Sequence, residues 1–126
     1  TAPEVEPYPC PVLNTGIDWR PLLRATVEDR RRGRDPGEMS RAFHAGLAGG
    51  LAEATVTLCR THGLSTAVAS GGVMQNALLL DLLAALLERE GVSTLINHRV
   101  PPNDGGISLG QAALGALGPC TSSRSH

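Results

Sequence analysis

No lysine occurs in this sequence; all 11 basic side chains are arginine. That fits codon usage in a GC-rich genome, and it removes the Walker-type phosphate-binding lysine from consideration. Aromatic residues are scarce too, with only Tyr8, Trp19 and Phe43 present. A core must therefore be built from Leu, Val and Ala. Cys10, Cys59 and Cys120 are scattered, odd in number and without a CxxC pair. This argues against a disulfide framework and against a structural zinc site. No apolar run reaches membrane-spanning length, and the N-terminus lacks the basic-then-apolar layout of a signal peptide. A cytoplasmic location without membrane association is expected, and a start at Thr1 rather than Met suggests a fragment or processed piece.

What remains suits one small domain or a lobe of a larger one. The chain has 126 residues, 41% of them hydrophobic, and a net charge of −1, which exerts no general pull on nucleic acid. The one basic run, Arg30-Arg31-Arg32-Gly33-Arg34, is flanked by Glu28, Asp29 and Asp35 and reads as a solvated loop after a helix. A nucleic-acid partner is not expected.

Residues 1–17 are proline-rich and read as an extended lead-in with a short strand near Pro11–Leu13. Asp18 is placed to cap a helix from Trp19 to about Arg31, with Pro21 in its first turn. Its expected apolar face carries Trp19, Leu22, Leu23, Thr26 and Val27. Asp35-Pro36 opens a second helix running to about His62, with Met39, Phe43, Leu47, Leu51, Ala54 and Leu58 at three- and four-residue steps. Gly49-Gly50 inside it would admit a close neighbour, and Gly63 is a stop signal. Leu64–Ser70 then reads as a strand, Gln75 to about Glu90 as a helix, Val92–Asn97 as a second strand, and Asp104 onward as a last helix. Residues from Pro119 read as a frayed tail. A strand–helix–strand unit of this length implies two parallel strands with a right-handed crossover, hence an α/β fold.

Ligands of open α/β sheets bind beyond the carboxyl ends of the strands. Two loops fall there: "SGGVMQN", residues 70–76, and "PPNDGG", residues 101–106. Gly71 and Gly72 let the backbone approach a ligand, and the helix that follows offers free N–H groups suited to phosphate. Ser70 adds a hydroxyl, and Asn76 an amide that both gives and takes hydrogen bonds. The pattern alone is compatible with a plain βα turn as well as with a nucleotide cradle. Asp104 reads either as an N-cap or as an oxygen donor to a metal that bridges phosphates.

The histidines point elsewhere. His44 lies on or near the apolar face of the second helix and reads as a satisfied core residue. His62 suits a helix C-terminus, and His98 precedes the second loop. None forms a His-x-x-x-His pair of metal ligands, and Cys59 reads as a small core residue.

Residues 70–113, from "SGGVMQN" through "PPNDGGISLGQAA", resemble the C-terminal end of the HypF carbamoyltransferases of nickel–iron hydrogenase maturation. The stretches "DWRPLLRATVEDRRRG" and "MSRAFHAGLAGGLAE" are similar to what precedes it in that family. The likeness covers about residues 18–117, so 18–118 is expected to be the lobe, 1–17 the lead-in and 119–126 a disordered tail. It implies part of one lobe of an actin/sugar-kinase-like (ASKHA) fold. It also implies transfer of a carbamoyl group, from carbamoyl phosphate and ATP through a carbamoyl-adenylate, to the C-terminal cysteine of the partner HypE. By the same resemblance Gly71 and Gly72 lie beside the nucleotide, Asn76 contacts it, and Asp104 ligates a divalent metal.

Departures from the family pattern are specific. The 126 residues contain no counterpart of the family's acylphosphatase-like, zinc-finger-like and adenylate-forming modules, nor of its two-histidine helix. Ala77 stands where arginine is common, and Met74 where phenylalanine is usual. The isolated chain is therefore expected to be inactive. The tRNA threonylcarbamoyl transferases share the glycine-pair loop and late aspartate and are the alternative reading; a non-catalytic remnant is another.

Overall fold

Asp35 and Gly63 bracket the longest element of the protein. The Asp35 carboxylate accepts the Glu38 N–H at 3.0 Å, Pro36 takes the first helical position, and Gly63 closes the far end at φ 65°. Between them runs a 27-residue helix, Pro36–His62, as the cap-to-cap pattern requires. The computed structural model describes residues 5–97 and 103–117. In chain order these form β1 (Val12–Leu13), β2 (Gly16–Ile17), α1 (Arg20–Arg31), α2 (Pro36–His62), β3 (Thr66–Ala69), α3 (Ala77–Arg89), β4 (Ser93–Ile96) and α4 (Ile107–Leu117). Short 3-10 turns at Gly72–Gln75 and Asp104–Gly106 precede α3 and α4. The expected tail, Cys120, His98 and Pro101-Pro102 lie outside the described residues.

The strand–helix–strand reading holds. β3 and β4 pair in parallel, Thr66 opposite Ser93 through Ala69 opposite Ile96, with α3 as the connection. The lead-in carries a strand at Val12–Leu13 as expected, and also its antiparallel partner Gly16–Ile17. No alternating pattern announces strands of two residues.

One core lies between α2 and α3. Ala48, Ala52, Val56 and Cys59 of α2 pack with Leu79, Leu83 and Leu87 of α3 and with Val92. Of the face expected of α2, Met39 is buried and Phe43, Leu47 and Leu51 pack against the cores, but its last member does not, and smaller residues share the burial. Leu58 is 60% exposed, whereas Ala42, Gly46, Ala48, Gly50 and Ala52 are buried. The helix is flanked on two sides, and small residues let both neighbours approach. On the second side run residues 5–10. The Tyr8 N–H donates to the Ala42 carbonyl at 3.0 Å, and a Cβ added at Gly50 would stand 2.6 Å from the Cys10 carbonyl oxygen. Added at Gly46, it would run into the Tyr8 backbone, while at Gly49 it would meet nothing within 4 Å. The close approach foreseen at Gly49-Gly50 therefore involves Gly50 and Gly46.

Tyr8, Cys10, Leu22 and Ala42 form a second, smaller core. Its polar rim is built on Asp29, which accepts the Tyr8 hydroxyl at 2.7 Å and pairs with Arg34 at 2.6 Å. Arg34 also reaches Glu38 at 3.3 Å. Hydrogen bonds from Arg34 and then Tyr8 hold the Asp29 carboxyl below its usual pKa, while burial and the Asp29 carboxylate push the Tyr8 hydroxyl up.

In α1 only Leu22 is buried; Trp19, Leu23 and Val27 are exposed. Thr26, also expected on the apolar face, turns its hydroxyl back to the Leu22 carbonyl at 2.9 Å. Trp19 takes the N-cap position, and Asp18 sits one residue earlier, where it accepts the Arg20 backbone N–H at 3.1 Å and its guanidinium at 2.7 Å. Asp18 thus binds the first helical residue, by backbone and guanidinium together, from one position before the cap expected of it.

Two surfaces stay uncovered among the described residues. Val68 and Leu95, opposite one another on the outer sheet face, are 72% and 56% exposed. No residue of α4 is buried, and Leu114 and Leu117 are largely exposed. Parallel sheets are normally covered on both faces.

Two outcomes follow from this packing. Gly46→Ala should lower stability by about 1–3 kcal/mol through overpacking against backbone, whereas Gly49→Ala should raise it by up to about 1 kcal/mol through helix propensity; urea denaturation of both variants checks the contrast. Asp29 has a depressed pKa, so its stabilisation is present above the ordinary carboxylate pKa and lost as pH falls through its folded value. The Tm deficit of Asp29→Asn should accordingly be full at neutral pH and close on acidification below about pH 4.

Candidate functional site

β3 ends at Ala69 and delivers the glycine-pair loop at the carboxyl edge of the sheet. Gly71 stands at φ 102°, a backbone state that side chains disfavour. The chain then tightens, with the Met74 N–H bonded to the Gly71 carbonyl at 3.0 Å and the Asn76 N–H to that of Val73 at 3.1 Å. Met74 is partly buried against the main core, while Ser70, Gly72, Val73 and Gln75 face solvent.

Asn76 is the N-cap of α3: its Oδ1 accepts the Leu79 N–H at 3.1 Å. Its Nδ2 lies 2.8 Å from Nε2 of His44, 32 residues earlier on α2. Nδ1 of His44 is 2.7 Å from the Ser40 carbonyl oxygen. His44 is partly buried and satisfied on both ring nitrogens, as expected of a core histidine, but one partner is a candidate site residue. Sequence reasoning missed this role. The pairing depends on how α3 lies on α2, which no spacing within either helix encodes.

The second loop meets the first. A Cβ added at Gly72 would lie 4.0 Å from Cβ of Asn103, so the loops that follow β3 and β4 come side by side. Asn103, and not Asp104, provides the cap of the second turn, its Oδ1 accepting the Gly105 N–H at 3.0 Å. Asp104 is exposed, and its carboxylate has no ion pair or hydrogen bond among the described residues. A lone carboxylate offers a hard cation one or two oxygen donors. No group of three or more His, Cys, Asp or Glu side chains able to hold a metal occurs among the described residues. By itself Asp104 offers a divalent cation part of a ligand set and, among the described residues, not a whole one.

Chemically, the edge offers backbone N–H groups at a glycine turn, a hydroxyl, an oriented amide and an unengaged carboxylate. Among the described residues it offers no activated nucleophile. The Cys10 thiol is pushed above its usual pKa, by burial first and by the Asp18 charge second. That is the opposite of what a reactive thiolate needs.

Comparison with known proteins places this edge in a family. Residues 1–111 match the family model for the carbamoyltransferase Kae1-like domain, second subdomain. The chain belongs to the HypF carbamoyltransferases. It is 33% identical to a HypF carbamoyltransferase of Synechocystis over 111 residues, covering 84% of this chain and 14% of that protein. A HypF of Rhodobacter capsulatus is 31% identical over 116 residues, covering 91% of this chain and 15% of the relative. Among solved structures, full-length HypF in its phosphate- and nucleotide-bound form superposes with a TM-score of 0.80 at 32% identity, over 99% of this chain and 17% of that one. HypF of T. kodakarensis gives 0.76 at 27% identity, over 91% and 15%. The chain thus spans about one seventh of the length of these two curated HypF relatives. The family match begins at residue 1, so it includes the lead-in that packs on α2.

The cap at Asn76 yields its own test. Asn76→Ala should lower stability by about 1 kcal/mol, and Asn76→Asp, which keeps the acceptor for the Leu79 N–H, should lose less; thermal denaturation of the two variants separates them.

Proposed function

We propose that this chain forms one wall of the nucleotide and metal site of a HypF-type enzyme that transfers a carbamoyl group, derived from carbamoyl phosphate and ATP, to the C-terminal cysteine of HypE. The observation that carries the proposal is the adjacency of the two loops, Gly72 beside Asn103, at the carboxyl edge of a parallel sheet. The superposition on a HypF solved with phosphate and nucleotide supports it.

In this reading the Gly71–Gly72 turn faces the nucleotide phosphates, with Ser70 and Asn76 giving polar contacts at either end. Asp104 supplies an oxygen ligand to a divalent cation, which when bound polarises phosphate oxygens. The chain's own residues bind and orient. The nucleophile is the partner's thiolate: its sulfur forms the C–S bond to the carbamoyl carbon, and the bond from that carbon to the adenylate oxygen breaks as AMP leaves. The raised pKa of Cys10 accords with a nucleophile from elsewhere.

The test is carbamoyl phosphate- and ATP-dependent modification of HypE, read by mass spectrometry with the full-length gene product. Asp104→Asn should reduce turnover on the order of a hundredfold, the effect of losing about 3 kcal/mol of phosphate charge stabilisation. The 126-residue chain by itself should give no transfer. Undiminished turnover by the Asp104 variant, or transfer by the isolated chain, would overturn the assignment.

A further inference from the structure

Ser40, His44, Asn76 and Leu79 form a single hydrogen-bonded relay between α2 and the first turn of α3. Donor and acceptor roles in it are fixed at both ends. The Ser40 carbonyl can only accept, so His44 Nδ1, 2.7 Å away, matches it as the donor, with the Ser40 hydroxyl a more distant contact of the same nitrogen at 3.5 Å. Nε2 is then left as the acceptor for Asn76 Nδ2, 2.8 Å away. At the other end the Leu79 N–H can only donate, which pins Oδ1 of the same amide at 3.1 Å. Turning the Asn76 amide over would set donor against donor at Leu79 and leave two acceptors facing at His44.

We infer that His44 is a positioning residue for the glycine-pair loop: it holds the Asn76 amide in one orientation and thereby sets the loop for its ligand. The inference rests on the nucleotide reading of that loop. Among the described residues, no other side-chain hydrogen bond ties residues 70–76 to a different element. Apart from Met74, which packs against the main core, the loop is largely exposed and held by its own backbone turns. Pinned from both sides, the amide keeps one N–H and one oxygen lone pair uncommitted, and both point where the relay leaves them. An Asn76 that caps α3 without His44 would keep its oxygen in place but lose the restraint on its nitrogen. His44 is held in turn, its ring set edge-on to Phe43 at 5.9 Å between centroids.

The experiment compares wild type, His44→Phe and His44→Gln in the full-length gene product. Adenine-nucleotide affinity is read by calorimetry, global stability by Tm, and the His44 tautomer by nitrogen-15 NMR. The expected result is a protonated Nδ1 and bare Nε2 in the wild type, with an Nε2 signal that shifts in Asn76→Ala. Nucleotide affinity should fall about three- to tenfold in His44→Phe, the worth of one restrained hydrogen bond. His44→Gln, which can present a side-chain oxygen to the Asn76 amide, should recover most of it. Wild-type affinity in His44→Phe would overturn the positioning role while leaving the nucleotide reading intact. So would a loss of affinity that only tracks Tm and is not rescued by glutamine. Absence of nucleotide binding in the wild type would overturn both.

Discussion

The seating of α3 on α2 decides where everything else in this protein lies. Leu79, Leu83 and Leu87 recur at four-residue steps and meet Ala48, Ala52, Val56 and Cys59, whose small side chains bring the two axes close. Burial of three leucines at about 2 kcal/mol each is the largest identifiable contribution to holding the pair together. That one interface fixes the pitch of α3, and with it the position of its N-terminus over His44. It also sets the sheet, because β3 and β4 leave from the two ends of α3 and can pair only where the helix puts them.

The helix limits were legible because their chemistry is local. Asp35-Pro36, Gly63 and the glycine-flanked strands announce themselves within a few residues. The faces were less legible. The three- and four-residue pattern of Met39, Phe43, Leu47 and Leu51 points to one stripe, and these residues do pack inward, but α2 has neighbours on two sides, and much of the deepest contact falls to glycine and alanine. Hydrophobicity ranks those residues low, although their size is what the packing needs. In α1 the same logic failed in the other direction: Trp19, Leu23 and Val27 have the periodicity of a core face and remain in solvent.

The candidate site divides in the same way. That the two loops share the carboxyl edge followed from the order of strands alone, and the side-by-side placement of Gly72 and Asn103 agrees with it. Asp104 was open to two readings, a cap or an oxygen donor, and Asn103, one residue earlier, takes the cap. The link from His44 to Asn76 spans 32 residues and two helices. Nothing short of three-dimensional packing brings it into view.

The two parallel strands are four residues each, and among the described residues each has a single neighbour. Every second backbone amide and carbonyl along both outer edges is therefore left without a ladder partner. Such an edge is a template that accepts another strand in register by hydrogen bonding alone. Within a larger enzyme it is where neighbouring strands would continue the sheet and carry the loop edge into a full cleft. Released from that setting, the same edges would accept strands from other copies just as readily, so the feature that lets this piece complete a bigger sheet is also its main hazard alone.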